Sequence, residues 1–143
     1  NDPENAGVEI DIAEHRLVNA KMQDVSNVVG HNLHWDGYRQ DHKHLGSVGA
    51  PLLGAPSLQG NWHKYALLWT KTSYTFYIDD IEQWTTNTPI SHIPEEIRLT
   101  CEIKNNDWAG TIPVAGYGPL DLNADQTGMD VDYVRVYQLP QKN

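Results

Sequence analysis

Short apolar and aromatic runs alternate with clusters of glycine, proline, asparagine and aspartate along most of the chain. Runs rich in β-branched and aromatic residues and bounded by turn residues predict β-strands. The predicted strands cover residues 8–15, 28–35, 45–49, 62–70, 74–79, 81–85, 96–103 and 129–138. No long stretch carries a helical period. Asp79 and Asp80, between two of these runs, predict a tight hairpin turn. Many short strands with regular turns predict an all-β sandwich or jelly roll.

One predicted strand departs from the ordinary alternation of polar and apolar residues. Residues 9–14 read EIDIAE, so Glu9, Asp11 and Glu14 lie in one short and otherwise apolar run. Bringing these carboxylates together costs energy, because like charges raise one another's pKa. A cluster of this kind can keep one acid protonated while its neighbour is ionised, as general acid/base chemistry requires.

The geometry of a strand decides whether the three acids can act together. Side chains alternate faces, so Glu9 and Asp11 share a face and Glu14 falls on the other. A β-bulge at residues 12–13 would add one residue and bring Glu14 to the same face. The two glutamates would then approach to about 5.5–6 Å, near the roughly 5–5.5 Å separation of a retaining glycosidase. Spacing alone also fits a solvated acidic strand edge or a cation site.

The composition of the chain limits the classes of molecule that it can bind. The chain has 143 residues, a net charge of -9 and a pI near 5.0, which argues against nucleic acid or an anionic membrane as partner. No apolar stretch is long enough for a transmembrane helix. The single cysteine, Cys101, allows no internal disulfide and is expected to be a buried thiol.

Four ordered motifs carry a resemblance to a known family. EIDIAE at 9–14 resembles the bulged active-site signature of glycoside hydrolase family 16, typical of its laminarinase-like and agarase-like members. WHKYALLWT at 62–70 with YTFYIDD at 74–80 resembles a family hairpin, NDWAG at 106–110 a family loop, and MDVDYVRVYQ at 129–138 the closing strand. The match covers nearly the whole chain.

The resemblance implies a concanavalin-like jelly-roll β-sandwich with the cleft across its concave sheet. In the family the catalytic strand lies near the middle of the domain. We therefore expect residues 1–143 to be the C-terminal part of one catalytic domain that lacks its N-terminal strands. The missing N-terminal part, on the same or a separate chain, is then an expected partner besides the polysaccharide substrate. A secreted or extracellular location, including the periplasm or the cell surface, is also expected.

The family's retaining mechanism implies roles for the three acids. Glu9 would be the nucleophile, Glu14 the acid/base, and Asp11 the residue that tunes both. No cofactor is expected for catalysis. The resemblance also implies a structural calcium ion, for which Asp132 is the expected ligand.

Further residues are candidates for substrate contacts. Aromatic rings stack on the apolar faces of sugars, and polar side chains bind their hydroxyls. On this basis, or by position in the family motifs, the candidates are His34, Trp35, Glu102, Asn106 and Trp108. Trp69 is expected in the core instead. The cluster His31, His34, His42 and His44 also permits a transition-metal site, although its spacing matches no strong metal signature.

The sequence therefore predicts a retaining endo-β-glycanase, with β-1,3-glucan as the expected substrate. A hydrolase of galactans, of the agarase or porphyranase kind, is the alternative within the family. A non-catalytic lectin on the same fold and a metal-dependent enzyme built on the histidines are alternatives of other classes. The intact acid triplet argues against the lectin, which needs no nucleophile.

Overall fold

The computed structural model describes residues 2–47, 58–101, 103, 105, 108–112, 114–116 and 129–140. Its helix and strands, in chain order, are α1 (Pro3–Ala6), β1 (Glu9–His15), β2 (Val29–Trp35), β3 (Lys43–Ser47), β4 (Tyr65–Trp69), β5 (Tyr74–Ile78) and β6 (Ile81–Thr86). Among these described residues, no helix is long and apolar enough to cross a membrane.

The strands form two antiparallel sheets, each built from consecutive strands. One sheet has the order β1-β2-β3 and the other β4-β5-β6. Asp79 and Asp80 form the tight turn between β5 and β6, and both have positive φ angles. Aspartate tolerates this left-handed conformation better than most residues, so the predicted hairpin turn is confirmed.

The two sheets pack face to face through an apolar core, as expected of a jelly-roll β-sandwich. The first sheet and the residue preceding it contribute Leu33 and Val8, and the second contributes Tyr74 and Phe76; all four are almost completely buried. Trp69 packs against this cluster, as predicted. Burial of side chains of this size stabilises the fold by about 1.5–3 kcal/mol each.

The start of β1 is held by Glu95, a residue far from it in the sequence. The Val8 N–H donates to Glu95 Oε1 at 3.0 Å, and the Ser91 hydroxyl donates to the same oxygen at 2.6 Å. Ser91 is fully buried, and its N–H donates to the Tyr74 hydroxyl at 2.7 Å. These bonds tie the beginning of the acid-bearing strand to the core between the sheets.

Two of the predicted strands do not form in the residues that the structure describes. Residues 96–101 and 129–138 form no strand, and Ile97, Leu99 and Val136 are exposed. A strand requires a hydrogen-bonded neighbour, and no strand within the described ranges pairs with either segment. Cys101 is exposed rather than buried for the same reason. The predicted strand 45–49 begins earlier, at Lys43, and its last two residues lie outside the described residues.

Candidate active site

The acid-bearing strand β1 contains the predicted bulge. Its pairing with β2 aligns Glu9 with His34, Asp11 with Asn32 and Glu14 with Gly30, and the register shifts between Asp11 and Glu14. From Asp11 to Glu14 the chain advances three residues on β1, but its partner advances only two on β2, from Asn32 to Gly30. The extra residue on β1 defines a β-bulge. As a result, Glu9, Asp11 and Glu14 all lie on the same face of the sheet.

A buried histidine supports the bulge from the opposite face. The His31 ring donates through Nδ1 to the Ile12 carbonyl at 2.6 Å, at the position where the bulge interrupts the ladder. The ring is 1% exposed and lies 5.0 Å from the Phe76 ring. Burial lowers the pKa of His31, against the opposing effect of its bond to Ile12. His31 is therefore a structural residue of the bulge and does not belong to the cleft.

Asn32 holds the carboxylate of Glu14 on the cleft face. Its side-chain amide donates to Glu14 Oε2. Gly46 lies opposite Asn32 on β3, and a Cβ at Gly46 would lie 2.0 Å from Asn32 Oδ1. The space left by this glycine lets Asn32 lie flat across the sheet toward Glu14. Asn32 and Gly46 were not among the predicted site residues.

His34 contacts Asp11 rather than Glu14. Its Nε2 lies 3.4 Å from Asp11 Oδ2, and its Nδ1 lies 2.8 Å from His42 Nε2. Burial, with His42 and His44 nearby, lowers the pKa of His34, although Glu9 and Glu14 oppose this effect. A neutral ring donates through one nitrogen and accepts through the other, so the tautomer of His34 and the proton on Asp11 are linked. His34 therefore lies on the face that carries the three acids, while its contact with substrate stays a prediction.

Asp11, in the middle of the cluster, has a raised pKa. Burial raises its pKa from 3.8 to about 7, with further contributions from the negative charges of Glu14 and then Glu9. Its side chain is 18% exposed, so the burial is substantial. Around neutral pH the Asp11 carboxyl therefore exchanges a proton.

Tyr38 contacts the carboxylate of Glu9. The Tyr38 hydroxyl, in the loop between β2 and β3, donates to Glu9 Oε2. Tyr38 was not among the predicted site residues. The predicted strands on either side of residues 36–42 place this loop at the end of β2, near Glu9, but they do not identify Tyr38 within it.

The prediction that Trp35 contacts substrate is wrong. Trp35 follows His34 on β2 and therefore points to the opposite face, where it packs against the core cluster around Leu33 and Phe76. Side chains alternate faces along β2, so the face that carries His34 does not carry Trp35.

Trp108 lies outside the two sheets, beside the segment that follows β1. It is 42% exposed, and its carbonyl accepts a hydrogen bond from Arg16 Nη1. Together with Arg16, Asn19 and Lys21 it lines a cavity of about 310 Å³. Its contact with sugar stays a prediction. Glu102 and Asn106, also predicted to bind substrate, lie outside the described residues.

The described residues offer one arrangement of potential metal ligands. Asp11, Glu14 and His34 each present a ligand atom, and these atoms lie within 4.8 Å of one another. A cation could contact all three, in competition with the proton that Asp11 carries. Asp132 is exposed and belongs to no such group within the described ranges. The structural calcium ion at Asp132 therefore stays a prediction, since one carboxylate supplies few of the six to eight oxygens that calcium takes.

A family model matches most of the chain. The model of the glycosyl hydrolases family 16 matches residues 1–135. The chain belongs to glycosyl hydrolases family 16. As a family 16 protein it is assigned to the glycosyl hydrolases that act on β-glycans, and its two packed sheets agree with the jelly-roll sandwich of the family. No curated protein and no solved structure matches the family 16 chain.

Proposed function

We propose that this family 16 chain carries the catalytic residues of a retaining endo-β-glycanase that hydrolyses internal bonds of β-1,3-glucan. The observation that carries the proposal is the bulge, which brings Glu9, Asp11 and Glu14 to one face of the sheet. A retaining glycosidase needs a nucleophile and an acid/base on opposite sides of the scissile bond. The outer two acids of the cluster fit these two roles.

The contacts of the outer acids favour the division of roles that the resemblance implies. Glu9 accepts a hydrogen bond from the Tyr38 hydroxyl, which stabilises a negatively charged nucleophile. Asn32 engages Glu14 Oε2, which leaves the other carboxyl oxygen of Glu14 for proton transfer. Asp11 lies between them with a pKa of about 7 and exchanges its proton in the working range of such an enzyme.

The reaction would proceed in two displacements. Glu9 forms a bond to the anomeric carbon while the glycosidic bond breaks, and the proton of Glu14 moves to the leaving oxygen. Glu14 then takes a proton from water as the water oxygen bonds to the anomeric carbon. The ester bond to Glu9 breaks, its electron pair returns to the Glu9 carboxylate, and the product keeps the β configuration.

Two observations support a neutral β-1,3-glucan as the substrate. The bulged form of the active-site motif is the form of the laminarinase-like members that the sequence resembles, although agarase-like members share it. The chain has 10 lysines and arginines against 19 aspartates and glutamates, which disfavours sulfated polysaccharides. The same charge suits a secreted enzyme, which is the location we propose.

A panel of polysaccharides tests the proposal. The full-length protein that carries this family 16 chain is incubated with laminarin, lichenan, agarose, porphyran and carrageenan, and the linkage of the released oligosaccharides is determined. We expect β-1,3-linked glucose oligosaccharides from laminarin. Galactose oligosaccharides alone would assign the chain to the agarase or porphyranase kind. Binding to laminarin without any product would assign it to the lectins.

A substitution at Glu9 tests the assigned nucleophile. Glu9→Gln removes the charge and keeps the shape, so we expect turnover to fall by at least about 10³-fold while the fold is retained. Circular dichroism and the rate of reducing-end release measure the two effects. Glu96→Gln, at an exposed glutamate that pairs with Arg98, is the matched control and should keep full activity. Normal turnover by Glu9→Gln would contradict the assignment.

A further inference from the structure

The loop between β2 and β3, residues 36–42, folds back over the Glu9 end of the cleft. Tyr38 reaches Glu9 from this loop, although the two residues lie on different elements. The Tyr38 ring lies 4.9 Å from the His42 ring and 5.8 Å from the His34 ring. These ring contacts direct the Tyr38 hydroxyl toward Glu9.

The base of the 36–42 loop is held by a turn and an ion pair. Asp36 and Gly37 both have positive φ angles, which reverse the chain after β2. Lys43 Nζ lies 2.6 Å from Asp36 Oδ2, and the side chain of Asp36 is 4% exposed. The His42 N–H also donates to the Arg39 carbonyl at 3.0 Å. Tyr38 is therefore presented by a loop whose two ends are fixed to neighbouring strands.

A second contact fixes the rings that support Tyr38. His42 Nε2 lies 2.8 Å from His34 Nδ1, and the two rings stack with centroids 5.0 Å apart. His34 is the residue aligned with Glu9 across the β1–β2 pair. The His34 ring, which supports Tyr38, therefore lies directly across from Glu9, the residue that Tyr38 contacts.

The Tyr38 hydroxyl remains a donor throughout the physiological pH range. Tyr38 is 67% exposed. The burial that remains, its bond to Glu9 and the charges of Glu9, Asp11 and Glu14 all raise its pKa. The protonated phenol donates a hydrogen bond to the Glu9 carboxylate, and this bond stabilises the carboxylate most when the carboxylate is negatively charged.

We propose that Tyr38 is a positioning residue that orients Glu9 and stabilises the negative charge that returns to it when the glycosyl-enzyme is hydrolysed. The inference rests on the proposed function. With Oε2 engaged by Tyr38, Oε1 of Glu9 is the oxygen that bonds to the anomeric carbon. When this bond breaks, the electron pair returns to the Glu9 carboxylate and the hydrogen bond strengthens, while the phenol keeps its proton in both steps.

This role predicts unequal effects on the two chemical steps. In the first step Glu9 loses negative charge, so the Tyr38 hydrogen bond does little to lower the barrier. In the second step Glu9 gains charge, so the same bond stabilises the transition state more than the ground state. Removing the hydroxyl should therefore slow hydrolysis of the glycosyl-enzyme more than its formation.

Trapping the glycosyl-enzyme measures the second step directly. The chain is labelled with 2,4-dinitrophenyl 2-deoxy-2-fluoro-β-laminaribioside, excess reagent is removed, and the loss of the label is followed by intact mass. For Tyr38→Phe we expect the label to be lost about 10- to 100-fold more slowly than in the wild type. With the corresponding unfluorinated substrate, both kcat and KM should fall, because the intermediate accumulates.

Two further variants separate the hydroxyl from the ring. Tyr38→Ala should lose the label as slowly as Tyr38→Phe, since both lack the hydroxyl. Tyr65→Phe, which removes a phenol on the other sheet, is the matched control and should behave like the wild type. A normal rate in Tyr38→Phe, slow loss in Tyr38→Ala alone, or an effect confined to a raised KM would each overturn the positioning role. If the wild type forms no adduct on Glu9, the proposed function fails and the positioning role fails with it.

Discussion

At the scale of single residues, the carboxyl group of Asp11 is largely removed from water. Asp11 lies in the middle of the cluster, beside His34. Its pKa is raised to about 7 by this burial first, and then by Glu14 and Glu9. The folded protein therefore holds a proton on Asp11 at pH values where the unfolded chain has already lost it.

This raised pKa has a consequence for stability. The contribution of Asp11 is fully present below its unfolded pKa of 3.8 and is lost as the pH rises through about 7. Asp11→Asn keeps the shape and removes the ionisation. We expect the variant to be more stable than the wild type at pH 8 by on the order of 1–2 kcal/mol, and nearly equal to it at pH 4.

Urea unfolding at pH 4, 6 and 8 checks this prediction, with the difference between variant and wild type as the quantity of interest. A difference that is the same at all three pH values would contradict the raised pKa. Turnover is followed in parallel, because loss of the ionisable group should lower kcat even where stability rises.

At the scale of strands, the glycines of β2 and β3 determine how closely side chains can lie across the cleft. Gly46 lies opposite Asn32, and Asn32 in turn holds Glu14. A Cβ at Gly46 would lie 2.0 Å from Asn32 Oδ1. Because this distance is too short, the Asn32 side chain would have to move. The position of the proposed acid/base thus depends on a residue two strands away.

A double-mutant cycle tests this dependence. Gly46→Ala should lower kcat/KM about 10- to 100-fold, because a displaced Asn32 no longer holds Glu14 in place. In an Asn32→Ala background the same change should cost less than about 2-fold, since the clashing side chain is gone. Independent, multiplicative losses in the double variant would contradict the link between Gly46 and Asn32. Urea unfolding of each variant confirms that the chain remains folded.

The strands also show which features could be predicted from the sequence. The acid strand, its bulge and the turn at Asp79 and Asp80 follow from local alternation and turn chemistry, and all three were predicted correctly. The core position of Trp35 follows from the same alternation once His34 is placed in the cleft. Residues 96–101 and 129–138 alternate like strands, but strand formation depends on distant pairing partners that local sequence does not specify.

Tyr38 could not be predicted from residue pattern for a related reason. Its contact with Glu9 depends on the turn at Asp36 and Gly37 and on the ring contacts with His34 and His42. These are tertiary contacts of a loop, and loops carry little periodic signal. The histidine cluster, by contrast, was visible in the sequence. In the structure His34, His42 and His44 form a set of packed rings beside the cleft, whereas His31 supports the bulge from the core side.

At the scale of the whole molecule, two packed antiparallel sheets carry the acids on a rigid face. The core between the sheets holds β2 in place, and the bonds to Glu95 and from His31 fix β1 at its start and at its bulge. Both proposed catalytic glutamates therefore lie on the sheet, and the 36–42 loop adds the contact of Tyr38 with Glu9. A rigid pair of carboxylates is what a retaining glycosidase requires.

The stereochemistry of hydrolysis tests the central claim most directly. Laminarin is hydrolysed in deuterated buffer, and the anomeric protons of the new reducing ends are followed by NMR from the first minutes, before mutarotation mixes the anomers. We expect the β-anomer to appear first and the α-anomer only later, because Glu9 and then water displace in succession. Initial appearance of the α-anomer would show a single displacement and would contradict the assignment of Glu9 as the nucleophile.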